Sequence, residues 1–308
     1  TGSNNNAYGY GALGANTTGL HNNAFGTLAL DVCTTGGYNI AMGSNALGGN
    51  TTGDQNVAIG HGALLANTTA SNNTAVGNAA LLANTTGANN VAIGAGALDA
   101  NTTASNNTVV GKDAATANTT GDSMTAMGFG ALANNTTAAN NTAVGYIALI
   151  SNTTGHSNTA VGSLALDANT TASYNTAVGT SALGACTATG NTAVGSLACE
   201  DITTGTNNTG LGQGALLNTT TGIRNTVVGA SACTTLTGGN YNTVMGFAAA
   251  SAHTGSTLTA IGYSAAGANT SGGNNVAIGY ASLGSNTTAS NNTAVGYNSL
   301  GVNTTGGN

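Results

Sequence analysis

The sequence predicts an all-β fold: a parallel β-solenoid, or β-roll, of about 18 repeats of 17 residues, one repeat to a turn. Three observations predict it. The tetrapeptide Thr74-Ala75-Val76-Gly77 recurs, as Val91-Ala92-Ile93-Gly94 and Thr142-Ala143-Val144-Gly145 among others, with first residues from 6 to 293 in eighteen copies. Fifteen of the seventeen steps are 17 residues, and the two after 176 and 243 are 16. Each copy opens on a short Thr-, Val- and Ile-rich segment that suits a pleated surface, and seventeen residues are too few for two helices and a turn. Finally, the chain has no Pro, no Trp and only 3% charged residues, whereas an ordinary soluble domain carries about a quarter.

Counting columns from the first residue of the tetrapeptide, the consensus is T-A-V-G-x-x-A-L-x-A-N-T-T-G/A-x-N-N. Column 3 is bulky and apolar throughout, column 4 is Gly in all eighteen copies, and column 8 is Leu or a smaller substitute. Alternation puts columns 1 and 3 on one face of a strand and column 2 on the other. Two short strands per repeat are expected, with columns 3 and 8 as the core, each lying over its counterpart in the next turn. On that reading Val144→Asp buries an unpaired charge. The column-4 glycine marks a bend that needs positive φ or has no room for a Cβ. Asn-Thr-Thr-Gly and Asn-Asn supply turn chemistry. Strands about 4.8 Å apart would stack eighteen turns into a rod on the order of 85 Å. Column 14 alternates Ala and Gly over 70–172, which reads as growth by duplication of repeat blocks.

The same columns sort the candidate site residues. Asn16, Asn50, Asn67, Asn84, Asn101, Asn118, Asn135, Asn152, Asn169, Asn269, Asn286 and Asn303 share column 11, and each begins Asn-x-Thr or Asn-x-Ser. Two readings stand: a ladder of amides bonding turn to turn, or N-glycosylation acceptors on an exposed turn. They exclude each other at any given Asn, since an internal ladder has no room for sugar. Phe247, Tyr263, Tyr280 and Tyr297 occupy column 5 in four consecutive copies, either as a self-stacking ladder or as rings that contact glycans.

Other chemistry is sparse. Cys199 and Cys233 sit two copies apart in the Leu column, too far for a disulfide, while Cys33 and Cys186 sit nine copies apart in the Asn column; all four read as small buried residues. His21, His61, His156 and His253 show no metal-ligand spacing. Asp167, Glu200 and Asp201 include a carboxylate pair of the kind glycosidases use, but nothing basic or aromatic accompanies them. No enzyme activity and no cofactor are expected. With Lys112 and Arg224 as the only basic residues and a net charge of −6, the chain has nothing to neutralise phosphates, so no nucleic-acid partner is expected. No apolar run approaches the roughly 20 residues of a membrane span, so no membrane insertion is expected either.

Units such as Asn89-Asn90-Val91-Ala92-Ile93-Gly94 and Asn274-Asn275-Val276-Ala277-Ile278-Gly279 resemble the head repeats of trimeric autotransporter adhesins. The wider unit from Asn141-Thr142-Ala143-Val144-Gly145-Tyr146 to Asn152-Thr153-Thr154-Gly155 resembles repeats of bacterial surface proteins and phage tail fibres. The resemblance covers essentially the whole chain. It implies a left-handed parallel β-roll, often trimeric, used for adhesion or as a spacer at a cell or virion surface.

The expectation is therefore one solenoid domain over residues 1–308, part of an extracellular fibre or adhesin shaft. Its partners would be further copies of itself, end to end in a filament or in a homotrimer, and a cell-surface or glycan ligand. Thr1 to Asn5 reads as the tail of a preceding repeat and Asn303 to Gly306 as one about to continue, so neither end looks capped. Absence of an initial Met suggests a processed chain or a segment of a longer one. Two alternatives remain: an ice-binding solenoid, and a tail fibre that binds or cleaves glycans. Against ice binding, paired threonines such as Thr85-Thr86 would point to opposite faces of a strand.

Overall fold

The computed structural model describes residues 2–306; Thr1, read above as part of a preceding repeat, lies outside them. The chain is all-β and divides into two compact units, Thr1–Ser157 and Asn158–Asn308. The first holds β1 (Asn6–Tyr8), β2 (Asn23–Phe25), β3 (Ile40–Met42), β4 (Val57–Ile59), β5 (Thr74–Val76), β6 (Val91–Ile93), β7 (Thr108–Val110), β8 (Thr125–Met127) and β9 (Thr142–Val144). The second holds β10 (Thr159–Val161), β11 (Thr176–Val178), β12 (Thr192–Val194), β13 (Thr209–Leu211), β14 (Thr226–Val228), β15 (Thr243–Met245), β16 (Thr259–Ile261), β17 (Val276–Ile278) and β18 (Thr293–Val295). Within each unit consecutive strands pair in parallel, each residue opposite its counterpart one repeat on, as in Thr74↔Val91 and Thr226↔Thr243. One repeat makes one turn of a β-solenoid.

Each turn has one three-residue strand, not the two expected. Column 8 lies instead in the second of two consecutive tight turns. The N–H of Ala63 donates to the carbonyl of Gly60 (3.3 Å), and the N–H of Asn67 to that of Leu64 (3.2 Å). Bonds between turns continue outside the strands: Leu47 N–H donates to Ala63 (2.9 Å), Gln55 to Gly37 (3.0 Å) and Thr51 to Thr68 (2.8 Å). Backbone groups all round the turn are thereby satisfied without a conventional second sheet.

The inside and outside of the strand are the reverse of the sequence expectation. Column 2 points in: Ala75, Ala92, Ala143 and Ala177 are fully buried. Column 3 points out, with Phe25, Met42, Ile59 and Met127 all exposed and Val144 half-buried. Column 8 is core as expected, with Leu64, Leu81 and Leu98 inaccessible, but its partners are the alanines of columns 2 and 7. The physical reason is thickness. One strand and two tight turns enclose a lumen that a Leu nearly fills, so the strand can add only a methyl. The persistent smallness of columns 2 and 7 thus comes from the roll's own interior.

Several exceptions in these columns offset one another in volume. The three valines of column 2, Val109, Val227 and Val244, occur in repeats whose column 8 is Ala115, Cys233 and Ala250. Gly210 replaces Ala where the Sγ of Cys199 from the preceding turn would strike a Cβ. Large and small side chains exchange places within one close-packed interior.

The column-4 glycines need both properties expected of them. Gly94 has φ +136°, and a Cβ built on it would lie 2.5 Å from the carbonyl oxygen of Gly111 in the next turn. Columns 6, 8 and 16 are also left-handed, as at Ala79 (φ 55°), Leu81 (φ 53°) and Asn89 (φ 60°). Asn tolerates that conformation, whereas Leu ordinarily loses about 1–2 kcal/mol in it. In column 8 the loss is offset by burial of the side chain and by closure of the turn around it.

The 16-residue steps cost the stack no register, since Thr176 still pairs Thr192 and Thr243 still pairs Thr259. What is missing is the second Thr of Asn-Thr-Thr, column 13, exposed in neighbouring turns as at Thr171 and Thr204.

Candidate functional site

Column 11 forms an internal ladder. Asn84 Nδ2 donates to Asn67 Oδ1 (2.9 Å), Asn101 to Asn84 (2.9 Å), Asn118 to Asn101 (3.2 Å), Asn135 to Asn118 (3.0 Å) and Asn152 to Asn135 (2.8 Å). The second hydrogen of each Nδ2 goes to a carbonyl three residues on, as from Asn84 to Gly87 (2.9 Å) and Asn101 to Ala104 (3.1 Å). Asn50, Asn67 and Asn169 are likewise fully buried, while Asn16 and Asn303 are half-buried. In the second unit Asn286 donates to Asn269 (2.9 Å). A sugar on the Nδ2 of Asn84 or Asn101 would displace one of two used hydrogens and enter a filled lumen, so a glycan there is incompatible with this stack.

A second amide ladder runs through column 17, where Asn-Asn also suits a turn. Here the backbone N–H of each Asn donates to the side-chain oxygen of the Asn one turn earlier: Asn56 to Asn39 (2.9 Å), Asn90 to Asn73 (2.9 Å) and Asn208 to Asn191 (3.0 Å). The Nδ2 groups of both ladders converge on the column-14 carbonyl. Gly87 accepts from Asn84 and from Asn73, both at 2.9 Å, and Ala104 from Asn101 (3.1 Å) and Asn90 (2.9 Å). Column 14 is only Gly or Ala because the next turn's backbone passes close to it: a Cβ built on Gly87 would overlap the carbonyl oxygen of Ala104. The signal for the second ladder was present, in an Asn that recurs at the last column of nearly every repeat.

Removing one rung should be felt on both sides. Asn101→Ala leaves Asn84 Oδ1 without its donor and one Asn118 N–H without its acceptor, besides a cavity. At about 1–3 kcal/mol per orphaned buried group, a loss of about 3 kcal/mol is expected, read from the urea midpoint.

In the middle of the second unit column 11 holds Cys186, Ile202, Thr219, Leu236 and His253 in place of Asn. His253 is fully buried and rejoins both ladders: its Nδ1 is 3.2 Å from Asn269 Nδ2 and its Nε2 is 3.2 Å from Asn242 Oδ1. An amide N–H can only donate and an amide oxygen only accept, so the ring is neutral with its proton on Nε2. Burial pushes its pKa down from 6.5 to about 4. Above pH 6.5 the folded and unfolded chains are both neutral here. Between those values only the unfolded chain takes up a proton, so stability falls as pH falls and levels off below about 4. The total should be about 3 kcal/mol at roughly 1.4 kcal/mol per unit. His253→Asn, which restores the ladder residue, should abolish this slope in urea titrations between pH 7 and pH 4.

The four cysteines are buried and free. Burial raises the pKa of each thiol, that of Cys233 to about 12, which makes them inert packing groups.

On the outside, the aromatic column is a stack. Phe247 lies over Tyr263 (centroids 5.7 Å, planes 13° apart), Tyr263 over Tyr280 (5.1 Å, 8°) and Tyr280 over Tyr297 (5.2 Å, 13°). The rings cover one another's faces and show their edges to solvent, so the inner rings have no face left for a sugar. The two basic residues end similar contacts: Lys112 Nζ sits 5.4 Å above Phe129, and Arg224 lies 5.6 Å above Tyr241.

Asp167, Glu200 and Asp201 line an open groove with Leu164, Ser181, Gly184 and Ala185. The bare backbone of Gly184 makes room between Asp167 and Glu200. Burial raises the pKa of Glu200, with the charges of Asp201 and Asp167 adding to it, and burial also raises that of Asp167. The lining has no basic or aromatic group to seat a sugar. Among the described residues no group of three or more His, Cys, Asp or Glu is placed to hold a metal, and no helix is long and apolar enough to cross a membrane.

No family model matches the chain, and no curated protein matches it significantly.

Proposed function

We propose that this chain is a structural component of an extracellular fibre or adhesin shaft, whose partners are further copies of itself. One observation carries the reading: the amide side chains inside each turn are tied to the turns above and below. Both amide ladders bond from turn to turn, as do the Thr hydroxyls, such as Thr85 Oγ1 donating to Thr102 (3.0 Å), while the second amide hydrogen of column 11 closes its own turn. A chain built this way invests in repetition, which is what a spacer or shaft requires. Its near-absence of charge and its likeness to adhesin-head and tail-fibre repeats support the same reading. Assembly as a trimer or a filament belongs to the proposal. Negative-stain microscopy and sedimentation of the purified chain should show filaments or a discrete oligomer. A monodisperse 29.2 kDa monomer at all concentrations would overturn it.

A further inference from the structure

We infer that the outward face of β10 to β16 is an ice-binding surface, whose ligand is the ordered water layer of an ice crystal. In these seven consecutive strands column 1 is always Thr, from Thr159 to Thr259, and column 3 is Val, Leu, Met or Ile. The middle residue of every one is buried and the two flanking residues are partly or fully exposed. Each Thr is paired in register with the next. The result is two parallel rows, one of hydroxyl-bearing and one of purely apolar side chains.

The two kinds of Thr in this unit are used differently. Column-12 hydroxyls donate to the backbone carbonyl one turn on, as Thr203 to Thr220 (3.2 Å) and Thr220 to Thr237 (3.1 Å). Among the described residues the column-1 hydroxyls of β10 to β16 make no protein hydrogen bond, and these threonines are partly or fully exposed. Rows about 4.8 Å apart along the stack, with residues two apart on a strand separated by about 6.6 Å, form a rectangular array. The repeat of the hydroxyl row along the stack lies close to the shorter oxygen repeat of hexagonal ice, and the apolar row runs beside it. The hydroxyl anchors a water molecule, and the methyl groups of Thr and Val order those around it without competing for hydrogen bonds. Columns 1 and 3 hold no charged residue in any of the eighteen repeats, which suits an uncharged crystal. The objection that adjacent threonines diverge applies to columns 12 and 13. The pair that meets the spacing is Thr with an apolar residue two positions on.

Area argues for a solid over a protein. Seven strands span about 29 Å at the sheet spacing, and two columns about 10 Å, giving roughly 300 Å². A stable protein interface takes about 800 Å² from each partner. The regular array also stops at β17, where Val276 replaces Thr.

The test measures thermal hysteresis and ice-crystal shape in solutions of the full chain, of Thr226→Tyr and of Thr86→Tyr. Thr226 lies in the middle of the array, whereas Thr86 is an exposed column-13 residue in the other unit. Hysteresis with faceted crystals is expected for the parent chain and for Thr86→Tyr, with a several-fold loss for Thr226→Tyr at unchanged circular dichroism. No hysteresis in the parent, or equal loss in both variants, would overturn the inference. So would sedimentation showing that the face joins two copies and that Thr226→Tyr separates them.

Discussion

Ala143→Asp is expected to unfold the turns around it, at a cost of more than about 5 kcal/mol, whereas Val144→Asp one residue on should cost less than about 1 kcal/mol. Ala143 is fully buried beside a lumen already filled by the Leu column, with no cation within it to pair a carboxylate. Val144 is half-buried on the outer face, where a carboxylate keeps most of its hydration. The ordering is opposite to what side-chain size suggests, which makes the pair a sharp test of which column faces in. Urea denaturation followed by circular dichroism measures both, and equal destabilisation would contradict the inward placement of column 2. Since a solenoid unfolds approximately as a chain of coupled neighbours, hydrogen exchange should show the Ala143→Asp defect centred on β8 and β9.

The second large effect is expected at a glycine. Gly94→Ala places a side chain at φ +136°, a region L residues rarely adopt, at about 1–3 kcal/mol. Its Cβ would also overlap the carbonyl of Gly111, forcing the two turns apart at about 1–3 kcal/mol more. A total near 4 kcal/mol should appear as a lowered urea midpoint. Gly62→Ala is the control: its φ of +64° is left-handed, but the nearest atom to a Cβ is the end of the Leu82 side chain at 3.3 Å. Alanine already occupies the equivalent position at Ala79, so this substitution should cost little.

The fold was legible because a solenoid writes its geometry as a period, and in-register stacking needs like residues over like. Asn in column 11 left two readings open, a ladder and a glycan acceptor, because an Asn-Thr-Thr triplet suits both. Strand polarity was not. Hydrophobic size marks the core in ordinary sheets, but in a roll this thin the bulky Val76 and Ile93 are the ones excluded. The second ladder was obscured because Asn-Asn at the repeat end also suits a turn, and one of the pair, such as Asn89, does take a left-handed turn conformation. The left-handed Leu column left no trace, because Leu is not a residue that signals positive φ.

The loss of column 13 in two turns shows how this molecule keeps its phase. Strand partners are matched by hydrogen-bonded rungs, so the stack counts turns and is indifferent to the number of residues between column 11 and column 17. Small insertions and deletions in a gene for such a chain should therefore accumulate at that one corner. A short foreign peptide grafted between Thr102 and Ala104 should ride on the outside of a turn while the strands on either side stay in step.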